Sequence, residues 1–376
     1  MIFADNGRLS FSAFDSFEPV RDLWAALCGV AEPAPLQSLS YLETWWETVG
    51  RERHEAMRLV VAGDAAGPFA ILPLVLGRYH TVRYVEWMGD ADQLWRGPLV
   101  ARDVMAGLSP AAALRLVDGA AASLGEPIDA LLLRDMPAAV NGLDNPFVGP
   151  DAVATGAGHL RFDLAVAQPA PGTAQLADRL GALGPVTFEA AGDRDERGYL
   201  FSIFAEQTSA VAAMHHRADP LAGAGLSFLH RLAMGEASAT VDGTGSFLAG
   251  LFVGDRPAGV FFALTAGDHA VAIGASRSLD RDMQRAAPGR LVAQLALEQL
   301  GRAGFSTLDM PLVGATSAGL PAGAALVPHG HLFRQQTTLG YLLCAGERTL
   351  ARVKASYHEP VRQRRVEEAA REERAA

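Results

Sequence analysis

Residues 246–312 read SFLAGLFVGDRPAGVFFALTAGDHAVAIGASRSLDRDMQRAAPGRLVAQLALEQLGRAGFSTLDMPL, and this stretch decides the fold. Three apolar runs are separated by Gly-Asp pairs at 254–255 and 267–268, residues that accept turn geometry, so a strand meander is expected. Pro288-Gly289-Arg290 then opens an amphipathic helix. Proline suits the first helical position because no N–H is lost there. Gly304 ends the helix, and a short strand closes on Asp309. The order strand, helix, strand sets unpaired helix N–H groups beside a strand end, a place that can hold a phosphate.

Upstream of this stretch, PVTFEAAG reads as a strand. RGYLFSIFAEQTSAVAAMHH and LSFLHRLAMGE read as helices, and SATVDG as a strand. Downstream, LFRQQTTLGYLLCAG reads as a last hairpin or strand pair. The first half follows the same plan. A strand at 8–14 and a helix from Glu18 lead to a helix capped by Ser38 or Ser40 that carries Tyr41, Leu42, Trp45 and Trp46. AMRLVVAG and PFAILPLVLGR form a hairpin, followed by the strands TVRYVEWMG and GPLVA, a helix from Pro110, and the strand IDALLLRDMP. LLLRDMP at 131–137 and STLDMP at 306–311 are the clearest echo between the halves, and an internal duplication is expected. Residues 141–185, rich in Gly, Pro and Ala, read as a linker plus an approach helix. The expected domains are 1–165 and 170–350, with a charged helical tail at 351–376.

At 376 residues, two cores are the better expectation. A net charge of −10 argues against DNA and other nucleic acid as partners, while leaving room for a local basic groove. The two cysteines, Cys28 and Cys344, form no CxxC and sit among apolar residues, so buried inert thiols are expected. The N-terminus lacks a secretion signal, and no apolar run is long enough to span a bilayer. A cytoplasmic protein with no transmembrane segment is the expectation. Nothing in the sequence speaks to oligomeric state.

Several residues could carry chemistry, and each has a plain structural alternative. Pro288, Gly289 and Arg290 could hold a pyrophosphate, with Arg285 closing over it; the alternative is an ordinary loop-to-helix junction. Asp309, at a strand end, could accept a proton, or it could cap a turn or pair with an arginine. His215, His216 and Arg217 could supply a base and an anion clamp, or simply cap a helix C-terminus. Ser276 could protonate a leaving group and Arg277 could meet a phosphate; otherwise both are polar loop residues. Trp87, with Trp45, Trp46 and Trp95, could line a carbohydrate or acyl groove, though packing into the core is the competing use. His329-Gly330-His331 offers two imidazoles and no third ligand by spacing, so no metal is expected. No GxSxG, Walker-type loop or GxGxxG after a strand occurs.

The meander, the PGR-L helix start, the helix ending in RAGFSTLD and the earlier LHRLAMGEAS resemble the C-terminal half of the GNAT-type acetyltransferases of the CelD/FemAB-like group. PLQSLSYLETWWETVG, RLVVAGDAAGPFAILPLVLGR and VRYVEWMGD are similar to that group's N-terminal half, in a similar order. The resemblance spans roughly residues 8–340 and rests on order and spacing. It implies an α/β protein of two tandem GNAT-like domains, each a mixed, mostly antiparallel sheet flanked by helices. It also implies transfer of an acyl group from acyl-CoA or acetyl-CoA, held in the second domain, to an amine or hydroxyl of a small-molecule or saccharide acceptor. Relatives are associated with cellulose and other exopolysaccharide production; FemAB-type members use aminoacyl-tRNA, which the acidic balance disfavours here.

The chain departs from the group's pattern after Asp309, where MPLVGATSAGLPAGAAL stands in place of a Gly and a Tyr-Lys pair; Leu332-Phe333-Arg334 is the nearest candidate for that place. Met214-His215-His216-Arg217-Ala218 lacks the group's Trp, and the GNAT signature Arg/Gln-x-x-Gly-x-Gly/Ala is absent. These departures leave a non-catalytic scaffold open as a further reading.

Overall fold

A computed structural model describes residues 9–89, 94–167, 172–235, 243–311 and 323–355. In chain order the elements are β1 (Ser10–Phe14), α1 (Arg21–Ala31), α2 (Leu39–Trp45), α3 (Arg51–Arg53), β2 (Ala56–Asp64), β3 (Gly67–Tyr79), β4 (Val82–Trp87), β5 (Leu99–Val100), α4 (Arg102–Gly107) and α5 (Pro110–Ser123). There follow β6 (Ala130–Pro137), β7 (Ala139–Val140), β8 (Leu143–Asp144), β9 (Val153–Asp163), α6 (Thr173–Gly181), β10 (Val186–Ala190), α7 (Arg194–Met214) and α8 (Ala224–Ala233). The chain goes on through β11 (Thr244–Val253), β12 (Arg256–Ala266), β13 (His269–Ala275), α9 (Arg281–Gln284), α10 (Pro288–Arg302), β14 (Thr307–Pro311), β15 (Ala324–Gln335) and α11 (residues 338–355).

Local chemistry explains the main boundaries. Ser38 caps α2, its Oγ accepting the Tyr41 N–H at 3.2 Å, and Ser109 caps α5 in the same way through the Ala112 N–H. The turns between β11 and β12 and between β12 and β13 place Gly254 and Gly267 at φ +57° and +55°, a region that costs an ordinary side chain about 1 kcal/mol.

Two compact units result: among the described residues, those from 9 to 159 with 327–355 form one, and those within 160–326 form the other. In the first, the strands run β1-β2-β3-β4-β6-β15, with β5 on β3. Each of these pairings is antiparallel except β4 with β6. In the second, the order is β14-β13-β12-β11-β10, again antiparallel except for β13 with β14. Each unit is a mixed, mostly antiparallel sheet with helices against it.

The two faces of the second sheet are distinct. On one, Ala258, Phe261 and Ala263 of β12, Ala270 and Ala272 of β13, and Leu308 of β14 join Leu291, Val292 and Leu297 of α10 in one core. On the other, Phe262 meets Phe201 and Phe204 of α7 edge-on, at centroid distances of 6.3 and 5.8 Å. This alternation is the period-two geometry of a strand buried on both sides.

The structure differs from the sequence-based expectations in three places. The presumed linker contains β9, an eleven-residue strand, whose Gly, Ala and Thr content hides its pairing. The chain passes between the units inside β9, and residues 327–355 group with the first unit. LFRQQTTLGYLLCAG is the end of β15 followed by helix α11, not a strand pair: the Thr337 hydroxyl accepts the Gly340 N–H at 3.1 Å and starts a helix. Most of SATVDG, the segment after Pro311 and the tail beyond residue 355 lie outside the described residues. The two cysteines form no disulfide; Cys344 is buried as expected and burial pushes its thiol up, whereas Cys28 is only half-buried. Among the described residues no helix is long and apolar enough to cross a membrane.

Candidate functional site

In the second unit, β13 and β14 run parallel and pair at His269–Thr307, Ala270–Leu308 and Val271–Asp309. Past Val271 the ladder stops, although β13 continues to Ala275 and β14 to Pro311. A bulge between Phe262 and Ala263 of β12 lets β13 carry one extra residue, Ile273, and bends it at this point. No hydrogen bond or ion pair among the described residues links Ala272–Ala275 to Met310 or Pro311. The two strands therefore part, and among the described residues the outer edge of β13 has no strand partner beyond Val271.

The start of α10 stands at the open end of β13. Pro288 occupies its first turn and Ala287, the preceding residue, is left-handed at φ +45°. The Gly289 N–H has no partner among the described residues, while Arg290 and Leu291 donate to the Ala287 carbonyl. A Cβ on Gly289 would stand 3.4 Å from the Arg277 Cβ, so the helix start abuts the corner that follows β13. Arg277 and Arg285 are exposed, and neither has an ion-pair partner among the described residues; Arg290 is half-buried. A helix of 15 residues thus presents its positive end and an open N–H beside Arg277, with Arg285 three residues before Pro288.

The other predicted residues are distributed differently. Ser276 is buried, its hydroxyl donating to Gln207 Oε1 at 2.7 Å and accepting the Val260 N–H at 3.0 Å. With its single proton committed to Gln207, Ser276 locks α7 to the end of β13 instead of facing a leaving group. His215, His216 and Arg217 are exposed at the end of α7. His216 is left-handed at φ +50°, and the Arg217 N–H returns to the Ala212 carbonyl at 3.0 Å. That is a helix C-cap. Nine residues separate His216 from Gln207, roughly 13 Å along the helix axis, so the structure does not bring His216 to Ser276.

Trp87 is fully buried in the first unit, edge-on to Phe147 at 6.4 Å, and so packs in the core; Trp45, Trp46 and Trp95 are buried as well. His329 and His331 also lie in the first unit. His329 faces His159 at 2.9 Å, and His331 Nδ1 accepts the Asp135 N–H at 2.9 Å. No metal-holding group of three His, Cys, Asp or Glu side chains occurs among the described residues.

Asp309 is fully buried at the point where β13 and β14 part. Arg161 of β9 grips it with a fork, Nε to Oδ1 and Nη2 to Oδ2, both at 2.7 Å, and His269 Nε2 stands 3.1 Å from Oδ2. Sequence reasoning missed Arg161, His269 and Gln207. Arg161 left a readable trace: in HLRFDL the polar His159, Arg161 and Asp163 alternate with Leu160, Phe162 and Leu164, the pattern of a strand.

Comparison with known proteins agrees with this geometry. Residues 173–317 match the acetyltransferase (GNAT) domain family. The crystal structure of FemX superimposes at 10% identity, covering 89% of this chain and 100% of that one, with a TM-score of 0.53. A conserved protein of unknown function from Bacteroides thetaiotaomicron VPI-5482 does so at 11% identity, covering 86% and 100%, with a TM-score of 0.50. At such identities the likeness is one of fold. No curated protein matches the chain. The parting strands and the helix start beside them both lie within the stretch 173–317 that is similar to the acetyltransferase (GNAT) domain family.

Proposed function

We propose that this protein transfers an acyl group from acyl-CoA to an amine or hydroxyl, with one donor bound in the second unit. The observation that carries the reading is the gap between β13 and β14 beyond Val271 and Asp309, opening toward the N-terminus of α10. The donor's diphosphate would lie at Pro288, Gly289 and Arg290, with Arg277 and Arg285 over it. Its amide-bearing arm would run along the unpaired edge of β13, whose N–H groups also polarise the thioester carbonyl. The nucleophile attacks the thioester directly, with no covalent enzyme intermediate.

A saccharide or other small-molecule acceptor, in polysaccharide or cell-envelope biosynthesis within the cytoplasm, is our reading of the wider role. An aminoacyl-tRNA donor, as in FemAB-type transferases, is the second reading, favoured by the likeness in fold to FemX. Calorimetry with acetyl-CoA and longer acyl-CoAs separates these. The expected result is one site per chain that Gly289→Asp weakens at least tenfold. An acidic residue in the first helical turn favours the helix itself, so this variant should fold normally while repelling the diphosphate. If no acyl-CoA binds, the donor reading is lost. Tight, salt-sensitive binding of tRNA would then install the second reading, and binding of neither would leave a scaffold.

A further inference from the structure

We infer that His269 is the proton acceptor for the attacking nucleophile, oriented by Asp309, which Arg161 holds in place. This rests on the donor reading above. Val271 and Asp309 form the last paired rung before the strands part, so they mark the closed end of the gap. From Ser276, beside the helix start, back to Val271 is five strand residues, roughly 16 Å, which is room for an extended arm. An anchored donor therefore places its thioester next to Asp309.

The two faces of the sheet then separate the two substrates. Ala270, Ala272 and Leu308 point into the core shared with α10, on the side where the donor is anchored. His269, Asp309 and Arg161 alternate with core residues on β13, β14 and β9, and so lie on the opposite face. A nucleophile approaching the thioester from the face away from the donor's anchor meets this trio.

The hydrogen bonds assign the roles. Both Asp309 oxygens already accept guanidinium N–H groups, so the carboxylate orients and is not a free base. The 3.1 Å contact with His269 is a hydrogen bond when Nε2 donates to Oδ2, which puts the ring's lone pair on Nδ1. Nδ1 makes no hydrogen bond among the described residues, and the side chain keeps 7% of its surface open. An imidazole braced by a carboxylate at one nitrogen and open at the other is the arrangement of a general base. The amine or hydroxyl lone pair attacks the thioester carbon and its proton passes to His269 Nδ1. The C–S bond breaks with its electron pair on sulfur, and the thiolate recovers that proton as free CoA.

The test uses the full chain and acetyl-CoA, or whichever longer acyl-CoA binds most tightly, with water and then hydroxylamine as nucleophile and release of CoA thiol as readout. His269→Gln should leave the calorimetric Kd for the donor unchanged and lower turnover by about 10²–10⁴-fold. His269→Ala should recover part of its turnover when imidazole is added. Nitrogen-15 NMR of the wild-type imidazole provides a readout that needs no variant, and should show the proton on Nε2. Full turnover in His269→Gln, loss of turnover only in parallel with donor affinity, or a proton on Nδ1 in the wild-type protein would each overturn the assignment. Loss of donor binding in the wild-type protein would instead sink the donor reading itself.

Discussion

The two units repeat one device and finish it differently. In each, a parallel strand pair holds register briefly and then parts: β4 and β6 after Val85 and Leu131, β13 and β14 after Val271 and Asp309. In each, an Asp-Met-Pro step ends the later strand, and its aspartate meets an arginine and a histidine. In the first unit the arginine is Arg96. It donates to the Trp87 carbonyl at 3.3 Å, reaches Glu86 at 3.5 Å and Asp135 at 3.1 Å, and its own N–H bonds the Asp135 carbonyl at 3.0 Å. Arg96 thus ties the ends of β4 and β6 together. In the second unit the arginine comes from β9, on the far side of β14, and among the described residues no hydrogen bond ties the ends of β13 and β14. On the proposed reading, the parted strand pair that takes the donor is the one not tied by an arginine.

The comparison is broken most severely at Arg161. Asp309 is fully buried, and Arg161→Ala would strand its carboxylate away from water, at a cost of about 3–5 kcal/mol. Urea unfolding should show the loss. Arg161→Met combined with Asp309→Leu should recover most of it, because removing both charges removes the desolvation problem. A double variant as unstable as the single one would mean that the fork stabilises the fold by more than its own pairing.

Arg96→Ala should cost less, about 2–3 kcal/mol. Glu86 keeps Arg134 at 3.1 Å, and the Asp135 side chain is 23% exposed, so water can reach one of the two carboxylates. The same variant unties β4 from β6. Calorimetry should still find a single acyl-CoA site, because α5, which precedes β6 as α10 precedes β14, starts Ser109-Pro110-Ala111 and has no Gly-Arg pair after its proline. A second site appearing in Arg96→Ala would show that the arginine alone had been closing a competent pocket.

How much of this was legible in the sequence depends on which force set each feature. The meander at 246–275 and the α10 start could be read because turns and helix ends are written locally, in Gly-Asp and Pro-Gly. The Asp-Met-Pro echo was visible, and so was the chance that Asp309 pairs with an arginine. The partner itself was not, because 148 residues separate Arg161 from Asp309 and only the pairing of strands joins them. Ser276 and Trp87 were read as site residues from their chemistry, yet burial decides their use: Gln207 takes the serine's proton, and the first core takes the indole. The histidines after α7 follow the local rule for a helix end, the plain alternative the sequence already offered.

The smallest expected effect separates the units by pH. In the first unit, burial pushes the His54 and His331 imidazoles down, while Glu86 and Asp135 respectively pull them the other way. His331 Nδ1 accepts the Asp135 N–H, a bond an imidazolium cannot accept. The sign follows from proton counting. A folded-state value below the ordinary 6.5 means that, as pH falls through 6.5, the unfolded chain takes up protons first, so stability drops from there downward until the lowered folded value is reached. Each group contributes at most about 1.4 kcal/mol per pH unit, and the opposing carboxylates hold the effect below that ceiling. Urea midpoints at about pH 7.5 and 5.5 should therefore differ for the wild-type chain and converge when His54→Gln and His331→Gln are combined. If the fall persists in that double variant, the acid-sensitive groups lie elsewhere, and the contrast between a sealed first gap and an open second one loses its titrating signature.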